Sequence, residues 1–278
     1  MTGGSETHLG GRMLKTVRKE LRTALSWKVG VFVAALLVLP SLFGTVISDG
    51  YALSGSADFF TLVMAGVLPL IFPLLAVAVY AVPFSDQLSN RYLVYTRIRI
   101  DIRRNLATKA LANLILAFIV FFLVAFIPFL WAFFIEPSLG VINEYHQSRV
   151  SPGVVAVSPS TINTFSQLLA IGPWAYGVGY SLVLGLNGAI YASLGFLLLF
   201  LIPNRFVAIA IPFVGYNIFN FVFGVLAIPQ FSPAIVFPFN LTQFPMWVPF
   251  VPFTVLIVVA LGLAVYVHRN THRLDVLL

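Results

Sequence analysis

Charge is what this sequence has least of. Of 278 residues only 9% are Asp, Glu, Lys or Arg, while 60% are hydrophobic and 15% aromatic. Ordinary soluble domains carry about a quarter charged residues, so this chain lacks the polar surface to face water on all sides, and its mean hydropathy of +0.99 says the same. Cysteine is absent, which excludes disulfides and thiolate metal sites. The nine acidic residues are scattered and none is read as lying well inside an apolar run. No G-x-x-x-x-G-K-[ST] loop, G-x-S-x-G elbow or H-E-x-x-H pair occurs, so nucleotide binding or hydrolysis by those routes is excluded.

What is present is long apolar runs. Six stand out, at about 29–48, 59–82, 110–134, 171–202, 206–228 and 247–268. Each approaches or exceeds the ~20 residues a helix needs to cross the hydrocarbon. The ten-residue alternation of a membrane barrel is missing, so the expected class is an all-α polytopic membrane protein of six transmembrane helices. Orientation follows from Lys and Arg. With the N-terminus inside, fifteen of the sixteen basic residues fall in cytoplasmic segments and only Arg149 outside. The positive-inside rule then puts both termini in the cytoplasm. The net charge of +7 is accounted for in this way, without a nucleic-acid partner.

Residues 1–28 form a tail ending in "MLKTVRKELRTALSWK". Leu14, Val17, Leu21 and Leu25 recur at helical spacing, with Lys15, Arg18, Lys19 and Arg22 on the other side. That pattern predicts an amphipathic helix lying in the headgroup layer, its cations on lipid phosphates. Beyond the spans, outer loops are expected at 135–170 and 229–246. The second of these, "PQFSPAIVFPFNLTQFPM", is uncharged and apolar, yet its prolines forbid a continuous helix. An apolar broken segment beside a membrane is expected to tuck against protein as a re-entrant or interfacial element.

The polar residues inside the runs are amides and phenols: Asn113, Asn187, Tyr191, Tyr216, Asn217 and Asn220. Asn187 with Tyr191, and Tyr216 with Asn220, are four apart and so face one direction on their helices. Such residues either hydrogen-bond between helices or line a substrate path. His268 and His272 share a helix face, but no third ligand is near, and a metal site needs three or four; no metal is expected. "AYGVG" (175–179) and "GAIYA" (188–192) are small-residue spacings that permit close helix approach.

The cytoplasmic loop 83–109 is the most basic part of the chain. "RYLVYTRIRIDIRRNLATK" (91–109) holds six of the sixteen Lys and Arg residues. "DQLSNRYLVY" (86–95) can form a short helix with Leu88, Tyr92 and Tyr95 on one side. "RIRIDIR" then alternates with a strand period, and Asp101 can cap a helix restarting at Ile102. Helix, kink, helix is expected.

In this order of features the chain resembles the permease subunits of ABC-2 type ABC transporters. The resemblance covers residues 29–278 as one six-span membrane domain and includes the preceding amphipathic helix. It takes in the basic loop that opens at Asp86, continues through Arg91 and Arg97, and ends at Lys109. It also takes in the tight turn of "IPNRFVAIAIPF" (202–213) and the broken segment "FSPAIVFPFN" (231–240). It implies that the loop carries a coupling helix docking on a separate ATPase, through Asp86, Asn90, Arg91, Tyr92, Tyr95 and Arg97. It further implies two ATP-binding subunits holding ATP and Mg, a second permease copy or sister permease, and no cofactor or enzymatic activity in this chain. By the same resemblance the setting is a prokaryotic plasma membrane. The cargo is a hydrophobic or amphipathic compound such as a drug, peptide antibiotic or lipid. Two other classes use the same spans: an ATP-independent carrier or channel, and a membrane immunity protein that sequesters without transporting.

Overall fold

The computed structural model describes residues 16–51, 53–89, 102–140, 159–161, 163–238 and 243–270. Among them there is no β-strand, and nine helices organise the chain. These are α1 (16–24), α2 (Trp27–Ile47), α3 (Ser56–Ala65), α4 (Leu68–Ala78), α5 (Ala81–Ser89), α6 (Ile102–Leu130), α7 (Pro173–Leu201), α8 (Arg205–Val225) and α9 (Phe250–Arg269). Six helical stretches are long and apolar enough to cross a membrane, counting α4 with most of α5, and α6 with the turns that continue it to Leu139. The chain is an all-α, multi-pass membrane protein.

The centre of the bundle is α7. It packs along α6 and also meets α4, α8 and α9, while α2 lies on α6 and α3. The contact between α7 and α6 is close because α7 offers small residues where α6 offers rings. A Cβ added at Gly188 would lie 2.6 Å from the Phe121 ring, and one at Gly177 would overlap Phe129. Apolar attraction between helices is weak in lipid, so close packing of this kind carries their association. The spans formed by α2, α8 and α9 bury little of their surface and ring this centre.

The run 59–82, read from sequence as one span, is built from three helices. Gly66 ends the first of them, and proline stands at two of the starts, although Pro73 lies inside α4 without breaking it. Pro69 and Pro83 each stand near the start of a new helix, where the missing N–H would otherwise have bonded across the break. The helix reading restarts at Ile102, as expected. It then runs well past 134, through a π-helical turn at Trp131–Ile135 and a last turn Glu136–Leu139. Trp131 donates from Nε1 to Thr45 Oγ1 at 3.1 Å, fixing that turn against α2. The turn between α7 and α8 is as tight as expected. Ile202, Pro203 and Asn204 suffice, and Asn204 caps α8 by accepting from the N–H groups of Phe206 and Val207.

The apolar broken segment after α8 tucks into the protein. Two short 3₁₀ turns, Pro229–Phe231 and Pro233–Val236, lead to Phe237. Ala234, Ile235, Val236 and Phe237 are all buried. Phe237 meets Phe72 edge-on at 5.1 Å, and Phe72 meets Tyr191 at 5.9 Å. Phe237 also shares a small cavity with Tyr176 and Tyr180 near the start of α7, so the segment tucks against the buried rings of the bundle.

Candidate functional site

A buried ion pair lies at the end of the bundle shared by α1, the start of α6 and the end of α7. Lys109 Nζ donates to Glu20 Oε2 at 3.0 Å, with Lys109 only 2% exposed and Glu20 24%. The ammonium also stands over the Phe84 ring, 5.4 Å from its centroid. Phe84 in turn packs with Tyr80, Phe196 and Phe200. Burying a charge is tolerated when it is paired and its hydrogen bonds are met; here a carboxylate from α1 and a ring from α5 surround a cation from α6. This basic end is thus a joint between three helices.

Helix α1 is held by more than that pair. Val17 and Ala24 are buried, Leu21 packs on the core, and Arg18, Lys19 and Arg22 are exposed. Leu25, expected on the apolar side, is 51% exposed, and Leu14 and Lys15 lie outside the described residues. Of the residues read as docking an ATPase, Asp86 is on the backbone of α5, while Asn90, Arg91, Tyr92, Tyr95 and Arg97 lie outside the described residues, as does Asp101. The two ends of that stretch, Ser89 on α5 and Ile102 on α6, leave from this same basic end.

The residues read as a possible path are placed in three different ways. Tyr191 and Tyr216 meet edge-on at 5.8 Å; the Tyr191 hydroxyl is buried without a partner, while the Tyr216 hydroxyl lies beside the Asn220 amide. Asn113 is fully buried, and neither of its side-chain polar atoms has a partner. Two polar side chains, those of Asn113 and Tyr191, are therefore sealed inside the protein without a hydrogen bond, which costs free energy unless water or a ligand meets them. The other amides are satisfied within the fold. Asn187 donates to the carbonyl of Val183 one turn back at 2.9 Å, and Asn217 donates to those of Phe213 at 2.9 Å and Leu70 at 3.4 Å. Asn220 Oδ1 accepts from Ser232 Oγ at 2.6 Å and from the Ala234 N–H at 3.0 Å, holding the re-entrant segment.

Some polar residues escaped the sequence reading. At the end opposite Lys109, Gln243 donates to the carbonyl of Ser160 at 2.7 Å, and Gln167 to that of Phe244 at 3.0 Å. The Phe244 N–H donates to Thr164 Oγ1, and Asn163 Nδ2 to Thr61 Oγ1. These bonds latch residues 159–170 over the return to α9. Beneath them is a cavity of about 10 Å³ with Asn163, Tyr176, Tyr180 and Phe237 in its wall. That is room for one water, beside the unpaired Asn163 Oδ1 and Tyr180 hydroxyl. Glu136 is fully buried on the continued third span, although no acid had been read as lying inside a span. The signal was available: an acid directly after "WAFFI" needs a partner if the helix does not stop there.

Among the described residues no three His, Asp or Glu side chains gather as a metal site would require. No family model, curated protein or solved structure matches the chain.

Proposed function

We propose that this chain is the membrane-spanning subunit of an ATP-driven ABC-2 type exporter. In this reading it moves a hydrophobic or amphipathic compound across a prokaryotic plasma membrane, with both termini in the cytoplasm. The ATP would be bound and hydrolysed, with Mg, by two separate subunits. A second copy or a sister permease would complete the path.

The observation that carries the reading is the Lys109–Glu20 joint, at the end of the most basic stretch of the sequence. Residues 90–101 connect α5 to α6 in sequence, and those two helices meet where Lys109 stands over Phe84. A motor that pushes on a loop transmits force only if the loop's ends are fixed to rigid elements. Here the ends are fixed to the core by a buried ion pair and an aromatic stack. A short amphipathic helix with Arg91 and Arg97 could then lay its apolar side in a groove of the motor and pair with acidic residues there. The unpaired Asn113 and Tyr191 supply polar groups in the interior, as a compound with a few polar atoms would require.

The test is Arg91→Glu in the full complex. Substrate-stimulated ATPase activity and export should both fall, at unchanged expression. If both persist, residues 86–97 do not dock a motor.

One observation favours a second reading, that of a carrier without ATP. The chain breaks between α3 and α4 at Gly66–Val67, just before the second span. Broken helices build ion and substrate sites in secondary transporters. Transport by the purified chain alone in vesicles, driven by an ion gradient, would favour this second reading.

A further inference from the structure

A groove of about 380 Å³ opens at the basic end, between the start of α6, the end of α7 and the end of α9. Its floor and walls are apolar, including Ala110, Phe200 and Ala264, and its mouth carries Arg103, His268 and Arg269. Arg103 and Arg269 come from different helices, and both are exposed. The groove extends from Arg269 down to Leu261, ~12 Å along the helix axis. Leu261 is 61% exposed and Val265 50%, so this side of the groove is open where surrounding hydrocarbon would lie.

We infer that the groove is a binding site for one anionic phospholipid, an acyl chain lying along Ala110, Phe200 and Ala264 and the phosphate meeting Arg103 and Arg269. The argument is one of complementarity. An apolar slot open to the bilayer accepts an acyl chain of any lipid, so the slot alone selects nothing. Two guanidinium groups at its mouth, at the level where a helix leaves the hydrocarbon, select the sign of the headgroup. Guanidinium matches phosphate with paired hydrogen bonds, and basic pockets between spans on one face of a membrane are where anionic headgroups are held. The volume is within the range of sites that enclose a small-molecule ligand. This inference requires only that the helices span a membrane, and it stands whether or not the chain belongs to an ATP-driven exporter.

The experiment is native mass spectrometry of the full-length chain, released from mild detergent after incubation with phosphatidylglycerol or phosphatidylcholine of identical acyl chains. One phosphatidylglycerol should stay bound per chain, favoured over phosphatidylcholine by about fivefold for each contributing arginine. Arg103→Gln with Arg269→Gln should abolish the preference, lowering phosphatidylglycerol retention far more than that of phosphatidylcholine. Ala264→Phe, which fills the slot and leaves both arginines, should reduce retention of either lipid. Equal retention of the two lipids by the unmodified chain would overturn the inference. So would displacement by millimolar inorganic phosphate, which would make the mouth a simple anion site. A chain that is dimeric without lipid, and becomes monomeric on Ala264→Phe, would place a second copy in the groove and overturn it as well.

Discussion

Lys109 and Glu20 are 89 residues apart in sequence and 3.0 Å apart in space. Glu20→Gln weakens a charged hydrogen bond of a buried ammonium to a neutral one and should destabilise the protein by about 1–3 kcal/mol, and Glu20→Gln with Lys109→Met should recover part of that loss. Thermal unfolding in detergent of the two single variants and the double variant checks the expectation. Additive losses would show that the pair is not coupled.

Packing of α7 on α6 depends on the absence of a side chain at Gly188. A Val there would be driven into Phe121 at 2.6 Å from the first added carbon. Overpacking of this kind costs about 1–3 kcal/mol. Gly188→Val should lower the unfolding temperature, and adding Phe121→Ala should restore part of it, because the ring is what the new side chain meets.

The re-entrant segment hangs on Asn220. Asn220→Ala removes the acceptor of both Ser232 Oγ and the Ala234 N–H, at a cost of about 1–3 kcal/mol. Asn220→Asp keeps an acceptor oxygen and should be milder. Hydrogen exchange over residues 229–238 should accelerate in the Ala variant, with α6 unaffected. Unchanged exchange there would show that the segment is held by its buried apolar residues alone.

At the end of α8, Ala227 adopts φ 56°, in the left-handed region. A side chain in that conformation costs about 1–2 kcal/mol relative to glycine. Ala227→Gly should therefore raise the unfolding temperature by a few degrees, or leave it level if the greater freedom of the unfolded chain offsets the gain. A drop in stability would contradict the left-handed assignment.

Much of this architecture was legible before the structure. The six apolar runs, the three-residue turn at 202–204 and the tucked segment 229–238 all follow from run length and from where proline and asparagine fall. The breaks in the run 59–82 were harder to read. In lipid, an apolar run shows no polar face whose phase would slip at a break, and Pro69 and Pro83 look no different in sequence from Pro73, which lies inside α4. Lys109 reads as the last base of a loop because its partner is far away in sequence and α1 was assigned to the headgroup layer. The amides divided for a reason that spacing cannot reveal. Asn187 and Asn217 satisfy themselves on the carbonyls of their own helices, whereas Asn113 has no partner at all. An Asn in an apolar run looks the same in either case.

The central claim is that this chain works with an ATP-hydrolysing partner, and purification from its native host in mild detergent tests it most directly. Mass analysis should find an ATP-binding subunit in equal stoichiometry with the chain, carrying vanadate-sensitive ATPase activity that falls when Arg91→Glu is introduced. If the chain emerges without such a subunit under several gentle detergents, the motor-coupled account is contradicted.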